Sequence, residues 1–374
     1  MNNRISRLVL FSAALVMIGC RAPGARIAID PMIAVNTLIE APDDYAASRV
    51  GSEAYPVPTY AKFLKGVKIC LNPGHGGDAG QRGFKRGPTG VREAEMNLRV
   101  AQYLREFLVA SGAVVILTRE DDVFLSYEDR AAIADEWGAD LFVSLHHNAI
   151  DGKPGVNYTT VWYHGDVGYR PSNLDLARFL CDGLYDALAL PKITDVPLKS
   201  DYLMRKDGFA VLRHATTTAA LCESSFFTNP EEEQRLRQPE YNLREAHGLF
   251  IGLARYAAAG LPRARRIAPS NTSESRASGV VTGDAGNRVV FELDDGLRSR
   301  MSWGHDRNMI LQDSIVARVN GRRVPHDFQD DGDRYLLTIE VPADLPPGER
   351  RVELQFQNMN KNSILNPHFI LGAP

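Results

Sequence analysis

From Val67 to about residue 260 short runs of β-branched and apolar residues alternate with stretches of helical period, and this alternation constrains the fold more than any other feature. Residues 67–71, 114–117, 141–145, 159–163 and 218–222 read as strands. Residues 94–109, 127–137, 174–189 and 240–259 read as helices, the second opened by Ser126 with Asp129 three positions on, as in a capping box. Strands and helices in alternation predict an α/β fold: a mostly parallel sheet with helices on both faces, over residues 61–260.

The pattern then breaks. Residues 261–278 hold Pro262, Pro269, four arginines and a Ser/Asn/Thr-rich stretch, the composition of a linker. Beyond it, in residues 279–374, the period switches to two. Strands are expected at 288–293, 315–319, 335–341, 351–356 and 369–371, with Asn320-Gly321 as a hairpin turn. Short strands at this spacing predict an all-β, Ig-like sandwich. A chain of 374 residues thus divides into two domains, as its length alone suggests. Lys+Arg 43 against Asp+Glu 46 gives a net charge of −3, which argues against a nucleic-acid partner, since phosphate binding concentrates positive charge.

The first twenty residues read as an address. Arg4 and Arg7 precede an apolar run over 8–18, too short to span a bilayer, that ends at Gly19-Cys20. This resembles a bacterial lipoprotein signal, which implies that Cys20 is lipidated and that the body is anchored to a membrane on the cell-envelope side. Residues 21–60 then form a tether. Of the four cysteines, Cys70, Cys181 and Cys222 remain, an odd number and too few for a disulfide scaffold.

Chemistry is expected at strand ends, where open α/β sheets place their ligand crevice. Asn72-Pro73-Gly74-His75-Gly76-Gly77 follows the first strand, its glycines allowing a sharp turn around one histidine. Ser144-Leu145-His146-His147-Asn148 ends the third, and strand alternation allows only one of its histidines into a given site. Leu221-Cys222-Glu223-Ser224-Ser225 delivers a carboxylate at the end of an apolar strand, where it must be paired, solvated or metal-bound. Catalytic zinc takes three His/Glu-type ligands and leaves one position open, but these residues are far apart in sequence. Spacing alone therefore leaves a metal site and a set of satisfied strand-end histidines both standing.

The stretch from Lys68 to Tyr256 resembles the zinc-dependent N-acetylmuramoyl-L-alanine amidases that cut bacterial peptidoglycan. The resemblance rests on Pro73-Gly74-His75-Gly76-Gly77, Glu93-Ala94-Glu95-Met96-Asn97-Leu98, Leu117-Thr118-Arg119 with Arg130, residues 139–148, residues 209–213 and residues 221–229, in that order. Two positions depart from the family: Ser225 replaces a usual glycine, and Ala219-Ala220 a usual Pro-Ala. The resemblance implies one zinc ion held by His75, Glu93 and His146, with Glu223 as the catalytic carboxylate and peptidoglycan as partner. Glu95, about 200° round the helix from Glu93, is expected to be solvated. Asn97 and Asn148 are expected to orient ligands or fix loops, and Arg213 or a backbone N–H to steady the oxyanion. A cysteine hydrolase using Cys222, a zinc peptidase acting within the stem peptide and a non-catalytic wall-binding protein are the competing readings. Whether a regulatory protein partner exists is left open.

Overall fold

The computed structural model describes residues 49–81, 84–190, 196–267, 288–298, 309–330, 334–346 and 348–371. Cys20, the signal and most of the tether lie outside the described residues. No helix among the described residues is long and apolar enough to cross a membrane.

The first domain runs β1 (Lys68–Pro73), α1 (Glu93–Ala110), β2 (Val114–Leu117), α2 (Tyr127–Trp137), β3 (Leu141–Asn148) and β4 (Thr160–Tyr163). It continues with α3 (Ser172–Leu188), β5 (Leu198–Ser200), α4 (Ala210–His214), β6 (Thr218–Phe226), α5 (Pro230–Leu236) and α6 (Pro239–Ala258). The strands stand in the order β2-β1-β3-β6-β4-β5. Every neighbouring pair is parallel except β4 with β6, so the mostly parallel sheet predicted from the alternation is borne out. Strand alternation splits the apolar residues between two faces. Ile69, Leu71, Leu141, Val143, Leu145, Ala220 and Cys222 pack with α1, α3 and α6. Cys70, Phe142, Ala219 and Leu221 pack with α2 and α4. Ser126 caps α2 as expected: its Oγ accepts the Asp129 N–H at 3.0 Å, and the Asp129 carboxylate accepts the Ser126 N–H at 3.3 Å.

The second domain is an antiparallel sandwich of β7 (Arg263–Ile267), β8 (Arg288–Asp294), β9 (Ile310–Val319), β10 (Arg322–Arg323), β11 (His326–Asp330), β12 (Tyr335–Glu340), β13 (Arg350–Asn358) and β14 (His368–Leu371). Its sheets, β10-β9-β13-β14 and β11-β12-β8-β7, enclose a core around Phe291, Ala317, Ile339, Leu354 and Phe356. Asn320 and Gly321 both take positive φ at the β9–β10 hairpin, as the turn requires.

One boundary is corrected. Residues 263–267, expected within the linker, are strand β7, paired with β8 from Arg263↔Asp294 to Ile267↔Val290. The arginines misled because β7 is an edge strand, where charged side chains are tolerated. The sandwich is also seated directly on the α/β domain. Leu365 packs into the α1/α3/α6 core, Asn362 Nδ2 donates to Gly260 O at 2.7 Å, and the Ser363 N–H donates to Asp175 Oδ2 at 2.8 Å.

Candidate metal centre

The loop after β1 is shaped by close approach. His75 sits in the left-handed region at φ 58°, followed by Gly76 at φ 119°. A Cβ on Gly74 would run into the His146 ring, and one on Gly76 into the Val123 carbonyl, so glycine is the residue that fits. Two buried arginines hold this backbone. Arg119 Nε donates to Pro73 O at 3.0 Å and its Nη2 to Gly74 O at 2.9 Å. Arg130 Nη1 donates to Pro73 O at 2.9 Å and its Nη2 to His75 O at 2.7 Å.

Glu93 is the first residue of α1, where the helix dipole favours a carboxylate. Its Oε2 lies 3.1 Å from His75 Nε2, and its Oε1 lies 3.0 Å from His146 Nδ1. The two imidazoles meet edge to face with centroids 4.8 Å apart. His75, Glu93 and His146 thus offer three ligand atoms within 4.8 Å of one another. Burial alone would raise the Glu93 pKa, but the flanking His75 and His146 outweigh it and hold the carboxyl well below its usual range. Burial pulls His146 down to about 4, leaving it the neutral imidazole that a metal needs.

His146 shares its face of β3 with Phe142, and the face of Glu223 on β6 is the same, set by Leu221 and Ala219. Glu223 is half-buried, and its Oε2 is buried with no hydrogen-bond partner among the described residues. Burial, then the negative Glu93, push its pKa well above the usual range, with Lys85 opposing. Two imidazole nitrogens and a carboxylate beside a partnerless buried carboxylate oxygen are a donor set that fits a divalent ion such as zinc.

His147 points the other way, as alternation requires. Its buried ring lies 2.9 Å from Asn97 Oδ1 and 3.0 Å from Glu245 Oε2, while its backbone N–H donates to Glu93 Oε1 at 3.2 Å. Burial works to lower the His147 pKa, but Glu245 prevails and raises it. Asn97 Nδ2 donates to Gly74 O at 3.3 Å, so Asn97 ties the His75 loop to His147. Glu245 was not anticipated from sequence; its signal is an acid within the buried stripe Leu243, Ala246, Leu249 and Phe250 of α6.

Two expectations change. Glu95 is not solvated: it is buried, with Oε1 2.8 Å from Arg92 Nη1, because Arg92 is itself buried and also pairs with Asp78 and Asp122. Arg213 is exposed and donates to Asp207 O at 3.0 Å; the cations lining the cavity are Lys85 and Arg205. Asn148 fixes its own turn, one of the roles expected of it, its Oδ1 accepting the Ala149 N–H at 2.9 Å. Ser225, at the position of the usual family glycine, is fully buried with its Oγ unpartnered among the described residues. The cavity, about 190 Å³, holds His75, His146, Glu223 and Tyr127 with these two cations. Cys222 faces the opposite core, where burial pushes its thiol well up, away from nucleophile chemistry. His164 is satisfied by Asp201 at 2.9 Å, as a core histidine should be.

The three donor atoms and Glu223 thus gather at the carboxyl ends of β1, β3 and β6 and the start of α1. Comparison with known proteins supplies the family: the N-acetylmuramoyl-L-alanine amidase profile matches residues 69–255, half the chain, and the chain belongs to that family. It is 31% identical over 192 residues to the N-acetylmuramoyl-L-alanine amidase LytC of Bacillus subtilis, covering 51% of this chain and 36% of that protein. It is 30% identical over 208 residues to the germination-specific N-acetylmuramoyl-L-alanine amidase of Bacillus subtilis, covering 52% of this chain and 81% of that protein. It is 27% identical over 248 residues to AmiC of Escherichia coli, covering 58% of each. The chain therefore spans about a third to four fifths of the length of these three relatives. Among solved structures, the amidase AmiC2 of Nostoc punctiforme superposes with a TM-score of 0.44 at 26% identity, covering 51% of this chain and 96% of that one.

Proposed function

We propose that this chain hydrolyses the amide joining the lactyl group of N-acetylmuramic acid to L-alanine in peptidoglycan, with one zinc ion held by His75, Glu93 and His146 and with Glu223 as general base. The observation that carries the reading is Glu223, whose buried carboxylate oxygen Oε2 has no partner among the described residues, beside three convergent donor atoms. Family membership supports the substrate. Bound zinc supplies Lewis acidity, polarising the scissile carbonyl and lowering the pKa of water from 15.7 to about 7.

The chain's own residues do the rest. Glu223 accepts the proton of the attacking water and hands it to the leaving amine. Asn97, Arg119 and Arg130 hold the His75 loop, so the ligand geometry is set before substrate arrives. Leu221, Val211 and Phe209 supply an apolar wall on one part of the cavity.

Mass analysis of digested sacculi tests the reading: whole stem peptides with a free L-alanine amine are expected. Fragments cut within the stem would replace it with a peptidase. We also propose that Cys20 carries a lipid anchor that holds the enzyme at the cell envelope, motivated by the apolar run ending in Gly19-Cys20. Cys20→Ser should move the protein from the membrane to the soluble fraction, and unchanged fractionation would end that idea.

A further inference from the structure

We propose that Lys85 and Arg205 form a carboxylate-binding subsite that selects stem peptides whose second residue carries a free α-carboxylate. The proposal rests on the amidase reading and adds to it a preference among substrates.

Both cations line the cavity that holds His75, His146 and Glu223. The charge balance there is informative. A divalent ion held there would offset Glu93 and Glu223, leaving Lys85 with one long contact to a metal-ligand carboxylate and Arg205 with none. Arg205 makes no side-chain hydrogen bond or ion pair among the described residues. The contact of Lys85 is the ligand Glu93, at the long distance of 3.9 Å, and its side chain is 36% exposed. A guanidinium and an ammonium left open beside a reaction centre are suited to a carboxylate ligand, which accepts charge-assisted hydrogen bonds from both.

Each is carried on an anchored backbone. The Lys85 carbonyl accepts the Glu93 N–H at 3.0 Å, so Lys85 keeps a fixed relation to the first residue of α1. The Arg205 N–H donates to Asp201 O at 3.1 Å, and Asp201 is fully buried against His164. The backbones that carry the two cations are therefore held, while the Arg205 side chain itself is exposed.

The reach fits one substrate group. In a stem peptide L-alanine is followed by D-glutamate linked through its γ-carboxyl, which leaves the α-carboxylate free. That group lies one residue from the scissile bond, and consecutive Cα atoms are about 3.8 Å apart. Lys85, 3.9 Å from Glu93, and Arg205 both line the cavity that would receive it. Leu221, Val211 and Phe209 supply apolar wall for the lactyl and alanine methyl groups.

The test uses the full-length, zinc-loaded protein and two substrates, N-acetylmuramoyl-L-alanyl-γ-D-glutamyl-L-lysine and the same compound with the α-carboxylate amidated. We expect kcat/KM to favour the acid by about 10- to 100-fold, the range of one or two charge-assisted hydrogen bonds, with the difference mainly in KM. Lys85→Gln and Arg205→Gln should each lower that ratio toward one, and Arg205→Lys should keep part of it. Equal turnover of acid and amide by the native protein would overturn the subsite while leaving the amidase reading intact. A fall in kcat on both substrates alike in Lys85→Gln would also overturn it, assigning Lys85 to the oxyanion instead. Failure to cut either compound would remove the amidase reading and this proposal together.

Discussion

The ring of His146 lies against the Cα of Gly74, so close that any side chain at 74 would occupy the space of the imidazole. The loop that carries one candidate ligand is thereby shaped around another.

Gly74→Ala should therefore displace His146 or the His75 loop, with overpacking costing about 1–3 kcal/mol of stability. We expect a folded protein by circular dichroism that binds zinc at least tenfold more weakly. Unchanged zinc affinity would show that the contact does not matter to the site.

Glu223 and His75 should separate base from ligand. Glu223→Gln should retain one equivalent of zinc by metal analysis and lose about 10²- to 10⁴-fold in turnover, the usual contribution of a general acid–base group. His75→Ala should lose both metal and activity. A Glu223→Gln protein with near-native turnover would remove Glu223 from the mechanism.

Chelation and thiol blocking should act oppositely. Cys70, Cys181 and Cys222 are all buried, and burial pushes the Cys70 and Cys181 thiols up to about 12. Iodoacetamide should leave the native enzyme active, while a chelator should abolish activity and lower the melting temperature. Zinc at 100 times its Kd stabilises by about 2.7 kcal/mol, so add-back should restore several degrees. Inactivation by the alkylating agent would revive a cysteine nucleophile.

The seating of the sandwich makes the domains energetically dependent. Leu365→Ala removes a buried side chain that crosses into the α1/α3/α6 core and should cost about 2–5 kcal/mol. Calorimetry should show the main transition of the α/β domain moving down. A shift confined to a separate sandwich transition would mean that the contact is incidental. Truncation at Arg266 would cut β7 in half, so removal of the sandwich is better tested by ending the chain before Arg263.

Much of this protein is determined by its sequence alone. The alternation of strand and helix patterns specifies the α/β sheet, because backbone period and one-sided burial are local properties. The opposite aims of His146 and His147 follow from the two-residue period of β3, and the glycines around His75 announce a backbone under close approach. What the sequence leaves undetermined depends on neighbours brought from afar. Glu95 is buried because Arg92 is buried beside it, and Glu245 meets His147 because α6 packs beside α1 on that side of the sheet. Lys85 and Arg205, 120 positions apart, face one cavity, and β7 forms because β8 offers it an edge. An element's period reports which side of it is buried, whereas the identity of what buries it, and hence the charge balance of the site, is fixed only when the layers pack.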